Sequence, residues 1–149
     1  MGNSYRVTKY KGGGSAGGLS SPESEWTSYL DVGAKVGLEE YLIIEGQYVG
    51  FVRDVCKLSH VDRLEVQELE VFVEETNYKD GQKIVLPDAL NVVREVLREQ
   101  IWCKLVSEKV EFHFGYDYYM YVICPFELPE LLKGVPTELN VEDFESPYI

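Results

Sequence analysis

Positive charge is scarce in this sequence. Fourteen Lys and Arg stand against twenty-six Asp and Glu over 149 residues, a formal charge of −12 at pH 7. Phosphate backbones and anionic lipid headgroups are held by cations that release counterions, so neither nucleic acid nor a membrane is expected as a direct partner. Histidine occurs only at His60 and His113, and cysteine only at Cys56, Cys103 and Cys124. These five are too scattered for a structural zinc pattern, and "ELEVFVEE" (Glu68 to Glu75) lacks the Asp/Asn and Gly spacing of a calcium loop. No metal and no cofactor are expected. An odd, unpatterned set of cysteines among apolar neighbours predicts reduced thiols. No apolar run reaches the length of a membrane span. The first ten residues lack the apolar centre of a secretion signal, and Arg6 stands where a myristoylation signal needs Ser or Thr. Together these features point to the cytoplasm.

What is present is ordinary for a globular chain: 45% apolar and 27% charged residues, enough for one domain over 1–149 without staples. Glycine crowds into "YKGGGSAGGLSSPESEW" (Tyr10 to Trp26). A phosphate-binding loop needs Lys-Ser/Thr after its last glycine and a helix behind it. Here "LSSPESEW" follows, with no Lys before Lys35. Residues at about 12–24, Gly12 to Ser24, are therefore expected to form a flexible connection.

"SYRVTKY" (Ser4 to Tyr10) alternates and is rich in strand formers. "EWTSYLDVG" (Glu25 to Gly33) reads as a short strand or an irregular segment. Over Leu38 to Leu58, Leu38, Tyr41, Leu42, Tyr48, Val52, Val55 and Cys56 recur at helical spacing, with Glu39 and Glu40 in the first turn. Gly46 and Gly50 share a face that another backbone can approach closely. In "DRLEVQELEVFVEE" (Asp62 to Glu75), Leu64 and Val66 are apolar at even positions, then Leu69, Val71 and Val73 at odd ones. A strand cannot change its buried face by one residue without an insertion, which predicts a bulge at Gln67-Glu68. Asp80-Gly81 turns the chain. Pro87 opens a helix whose stripe is Leu90, Val93, Leu97, Ile101 and Leu105. "KVEFHFGYDYYMYVIC" reads as a hairpin with a two-residue turn at Gly115 and His113 facing outward. The proline-rich remainder from Pro125 reads as an irregular tail.

The expected fold is α+β: a mainly antiparallel, possibly mixed, sheet of about four strands with two helices on one face and an irregular C-terminal tail. Chemistry is thin. His113 with Asp117 and neighbouring tyrosines is the only candidate for acid–base catalysis, against a plain strand histidine. Cys103 and Cys124 lie in patterns that predict inert core thiols, and no catalytic residue is assigned. Two features remain. Acid density is high at Glu65, Glu68, Glu70, Glu74 and Glu75 and again in the tail. "YDYYMY" (Tyr116 to Tyr121) supplies aromatic contact area of the kind enriched at interfaces. Glu65, Glu68, Glu70, Glu74, Asp117, Tyr119 and Tyr121 are the candidate partner-binding residues.

"SYRVTKY", "EWTSYLDVG" and "FHFGYDYYMYV" together resemble small bacterial immunity proteins of polymorphic or contact-dependent growth inhibition toxin systems. The resemblance implies a cytoplasmic protein, not an enzyme, that binds and neutralises one cognate basic toxin domain, commonly a nuclease. A small enzyme built on His113 and a regulatory binding module without toxin ties are the alternatives.

Overall fold

The computed structural model describes residues 2–10, 26–135 and 137–148. The Gly-rich segment from Gly12 to Ser24 lies outside them. Among the described residues seven strands form one sheet: β1 (Asn3–Thr8), β2 (Arg63–Val71), β3 (Lys83–Val85), β4 (Ile101–Val106), β5 (Glu111–Phe114), β6 (Met120–Cys124) and β7 (Asn140–Asp143). Their spatial order is β3-β2-β4-β5-β6-β1-β7, and every pairing between them is antiparallel. The helices are α1 (Leu38–Leu58), α2 (Leu86–Leu97) and the single turn α3 (Leu128–Leu131). The expectation of about four strands and two helices is thereby corrected to seven strands and three helices among the described residues.

The helix α1 occupies the span its periodicity marks, and Tyr41, Tyr48, Val49, Val52, Val55 and Cys56 line its buried side, but Leu38 and Leu42, expected in the same stripe, are exposed in its first turns. It stops where His60 takes a left-handed φ of 60° and Val61 N–H turns back to Cys56 O. The helix α2 ends in the same way. Glu99 is left-handed at φ 60°, and Gln100 N–H returns to Glu95 O. Such C-terminal motifs usually carry Gly at the left-handed position. Here His and Glu fill it, which hides both stops from a reading that looks for glycine. The expected helix from Pro87 to Leu105 is accordingly two elements. Past Glu99, "IWCKLV" alternates buried and half-buried residues as β4.

Glu45 is buried on the apolar side of α1 and grips Arg98, just past α2, at 2.7 and 2.9 Å. The paired geometry ties the two helices together and raises the Arg98 pKa further. Both helices cover one sheet face, where Leu64, Val66, Leu105, Phe112, Met120 and Val122 are at most 1% exposed. Gly46 and Gly50 do not meet another backbone. A Cβ at Gly46 would touch nothing within 4 Å, and one at Gly50 would reach only Arg53.

The bulge lies where the phase flip places it. Gln67 pairs with Lys104 but Glu70 with Trp102, and the extra residue Glu68 has φ 57°. After it, Val71 falls on the core side opposite Ile101 but is exposed.

The tail is more ordered than its prolines suggest. Leu128 N–H reaches the Tyr5 hydroxyl, which donates to Glu127. β7 then pairs with β1, and the chain crosses the outer face of the sheet. There Phe144 N–H bonds Ser4 O, Ser146 covers His113, and Tyr148 lies over Trp102 and Tyr121.

Candidate functional site

At one end of the sheet, where β4 begins and β5 ends, lies a cleft of about 570 Å³. Its walls come from four places: the end of α2 (Val96, Leu97, Glu99), Thr27-Ser28, the far end of β2 (Glu70, Phe72) and the β5–β6 connection. Trp102, Phe114 and Tyr148 complete an aromatic floor. Trp102 is fixed by its indole N–H, which donates to Phe114 O at 2.7 Å, and by packing on Tyr148.

The β5–β6 connection is not the two-residue turn expected from Gly115. Phe114 pairs with Met120, so five residues bridge the strands, closed by Gly115 N–H to Tyr119 O at 2.7 Å. A Cβ at Gly115 would stand 3.1 Å from the Tyr121 ring, close enough that the ring would have to give by a few tenths of an ångström. Asp117 and Tyr118 are both left-handed, at φ 59° and 63°. That conformation costs roughly 1–2 kcal/mol for an ordinary residue, so something must hold it. Tyr118 is held by its ring, packed against Trp26, Tyr41 and Tyr48, and by its hydroxyl on Leu97 O. The Tyr48 hydroxyl donates to Tyr118 O from below. Burial raises the pKa of Tyr118 and of Tyr48, so both remain neutral phenols. This box projects Asp117 into solvent at the cleft's rim.

Three carboxylates line the cleft, Glu70, Glu99 and Asp117, and no Lys, Arg or His stands among the described lining residues. Glu99 is anchored by accepting from Ser28 Oγ–H at 2.7 Å and Tyr29 N–H at 2.6 Å. Apolar walls beneath a rim of carboxylates focus field on a cation entering the space.

Of the residues expected to bind a partner, Glu70, Asp117 and Tyr119 come together here. Tyr119 is half-buried, edge-on to Tyr10 and beneath the Arg6 guanidinium. The others lie elsewhere. Glu68 is engaged by Lys104 at 2.7 Å, Glu65 accepts from Gln67, and Glu74 is exposed past the end of β2. Tyr121 departs from the expected tyrosine face. It is 5% exposed, covered by Phe144 and Tyr148, and burial raises its pKa. Glu99, Phe72 and Trp102 join the site without a sequence signal that marks them for it. Glu99 sits in the unrecognised stop of α2, and Trp102 lies in a run whose two-residue alternation is masked by the preceding helical spacing.

His113 is not outward-facing. It is 1% exposed, with Nδ1 2.8 Å from Ser146 Oγ and Nε2 3.0 Å from Glu111 Oε1, and burial lowers its pKa. Ser, His and Glu in a row have the composition of a hydrolase triad, but the roles of the two nitrogens are reversed. The serine oxygen also accepts from Tyr148 N–H, and none of the three lines the cleft. Asp117, the expected partner of His113, is on the exposed loop instead. All three cysteines are buried, with thiols pushed up to about 12, 12 and 11 at Cys56, Cys103 and Cys124, too high for a ready thiolate. Among the described residues no group of three or more His, Cys, Asp or Glu is placed to hold a metal, and no helix is long and apolar enough to cross a membrane.

No family model, curated protein or solved structure matches the chain.

Proposed function

We propose that this chain is an immunity protein that binds and neutralises a cognate basic toxin domain, commonly a nuclease, in the cytoplasm. The observation that carries the reading is the cleft, where Glu70, Glu99 and Asp117 surround Phe72, Trp102 and Tyr119 with no cation among the described lining residues. Nuclease surfaces are basic because they hold phosphates. An acidic rim over an aromatic floor steers such a surface in and then anchors it by desolvated contact. The charge of −12 supports the same partner at longer range. The competing enzymatic reading rests on His113, whose ring nitrogens are already taken by Ser146 and Glu111. It draws less support.

The test uses the full chain as bait in lysate of its bacterial host, followed by identification of a stoichiometric partner and assay of that partner's toxicity or nuclease activity. A basic partner inhibited one-to-one is expected. Association should slow as salt rises and slow again in Glu70→Lys and in Asp117→Asn, which removes charge while keeping a residue that tolerates left-handed φ. No stoichiometric partner, or one indifferent to salt and to both substitutions, would sink the proposal.

A further inference from the structure

Beyond Glu65, β3 no longer accompanies β2; their pairing runs only from Arg63–Val85 to Glu65–Lys83. The turn before β3 still reaches β2, through Val66 N–H to Gln82 O, Gly81 N–H to Val66 O and Leu69 N–H to the Asp80 carboxylate. Among the described residues no strand accompanies this edge of β2 past Leu69. Phe72 donates its N–H to Gln100 O, on the β4 side. Consecutive residues of a strand turn their backbone groups to opposite sides, so the N–H and C=O of Val71 face away from β4. Among the described residues no hydrogen bond reaches either group from that side. Val71, Phe72 and Val73 are 42%, 60% and 45% exposed. Unpaired backbone beside exposed apolar side chains is a template for another strand.

We propose that the edge from Glu70 to Val73 takes an extended basic segment of the partner as an added strand of the sheet. The identity of that partner rests on the immunity reading; the edge geometry does not. Charge selects the occupant. A second copy of this chain would set Glu70, Glu74 and Glu75 against the same carboxylates, and like charges across a strand pair repel. A strand bearing Lys or Arg gains where the second copy loses. The pleat sets the pattern: Glu70 and Phe72 line the cleft with Trp102, while Val71 falls on the opposite face, opposite Ile101. The added strand should therefore alternate, with basic side chains over the cleft and small apolar ones on the Val71 side.

Amide hydrogen exchange, read by NMR on the full chain, tests this with two synthetic peptides, one alternating Lys and Val, the other Glu and Val. The Lys–Val peptide should slow exchange at Val71 N–H at least tenfold, leave Phe72 N–H nearly unchanged, and be unmatched by the Glu–Val peptide. Val71→Pro deletes the outward N–H without touching the β4 ladder and should weaken Lys–Val binding at least tenfold. Binding of the Lys–Val peptide without protection of Val71 would overturn strand addition while leaving the acidic cleft intact as a binding surface. No binding by the Lys–Val peptide would overturn it as well. Protection of Val71 that rises with protein concentration alone would assign the edge to a second copy and overturn the basic-partner proposal.

Discussion

One face of the sheet is closed by two helices and the other by the chain beyond β7, and the two covers use different chemistry. Under α1 and α2 the strands present Leu64, Val66, Leu105, Phe112 and Met120, nearly all fully buried. On the outer face the chain presents Arg6 to Glu142, His113 to Ser146 and Glu111, and Lys104 to Glu68 and Tyr148 O. Burial of apolar area stabilises without regard to pH. Polar covers return little net free energy, because each group gives up water first. The helix side therefore sets stability, and the outer side sets how stability responds to protons. At the end of β2, between these two covers, Val71, Phe72 and Val73 are exposed.

The largest effect is expected on the helix side. Phe112→Ala empties a fully buried ring position and should cost about 3–5 kcal/mol in denaturant unfolding. A loss under about 1 kcal/mol would mean the helix face does not dominate. Deleting Glu68 removes the extra residue and leaves Gln67, Leu69, Glu70 and Val71 in plain alternation, with Glu70 still opposite Trp102 and Val71 still opposite Ile101. The loss in unfolding free energy should stay below about 1 kcal/mol. A loss above about 2 kcal/mol would show that the strand cannot keep its faces without the bulge.

The outer side answers to pH. Because burial lowers the His113 pKa, the unfolded chain takes up a proton that the folded chain refuses. Stability should hold above the ordinary histidine value of about 6.5 and decline as pH falls below it toward the lower folded value. Glu111, Lys104 and Glu68 all act on the ring, the carboxylates opposing the shift and Lys104 adding to it. Melting temperatures from pH 8 to 5 should show this slope, and His113→Asn should flatten it; an equal slope in both proteins would remove His113 as its source. The smallest effect belongs to the open end. Val71→Ala should change stability by less than about 0.5 kcal/mol, since that side chain is already exposed. A larger loss would mean that Val71 is part of the core after all.

The fold is legible in the sequence where a local signal is strong. The span of α1 and the one-residue phase flip in β2 appear at the expected residues, and β1 lies within a residue or two of its expected place, although Leu38 and Leu42 leave the expected stripe of α1. The elements that escape have no such signal. β4 continues the helical spacing of α2 on paper because Glu99, not glycine, ends that helix. β3 is three residues long and β7 four, too short to carry a pattern of their own. Both exist because a longer neighbour offers a ladder. The cleft is half legible. Glu70, Asp117 and Tyr119 stand out by charge and composition, whereas Glu99, Phe72 and Trp102 join them only through the topology.

Acidity, the apolar stripes of α1 and β1 and the bulge are properties of the sequence alone, because each depends on charge or on spacing within a few residues. Which tyrosines are exposed was settled only by tertiary structure. Tyr119 and Tyr121 have the same residue type two positions apart, yet one borders the cleft and the other is sealed beneath Phe144 and Tyr148. The covering residues are more than twenty positions away in sequence. Burial is a property of what arrives from elsewhere in the chain, and no local pattern can encode it.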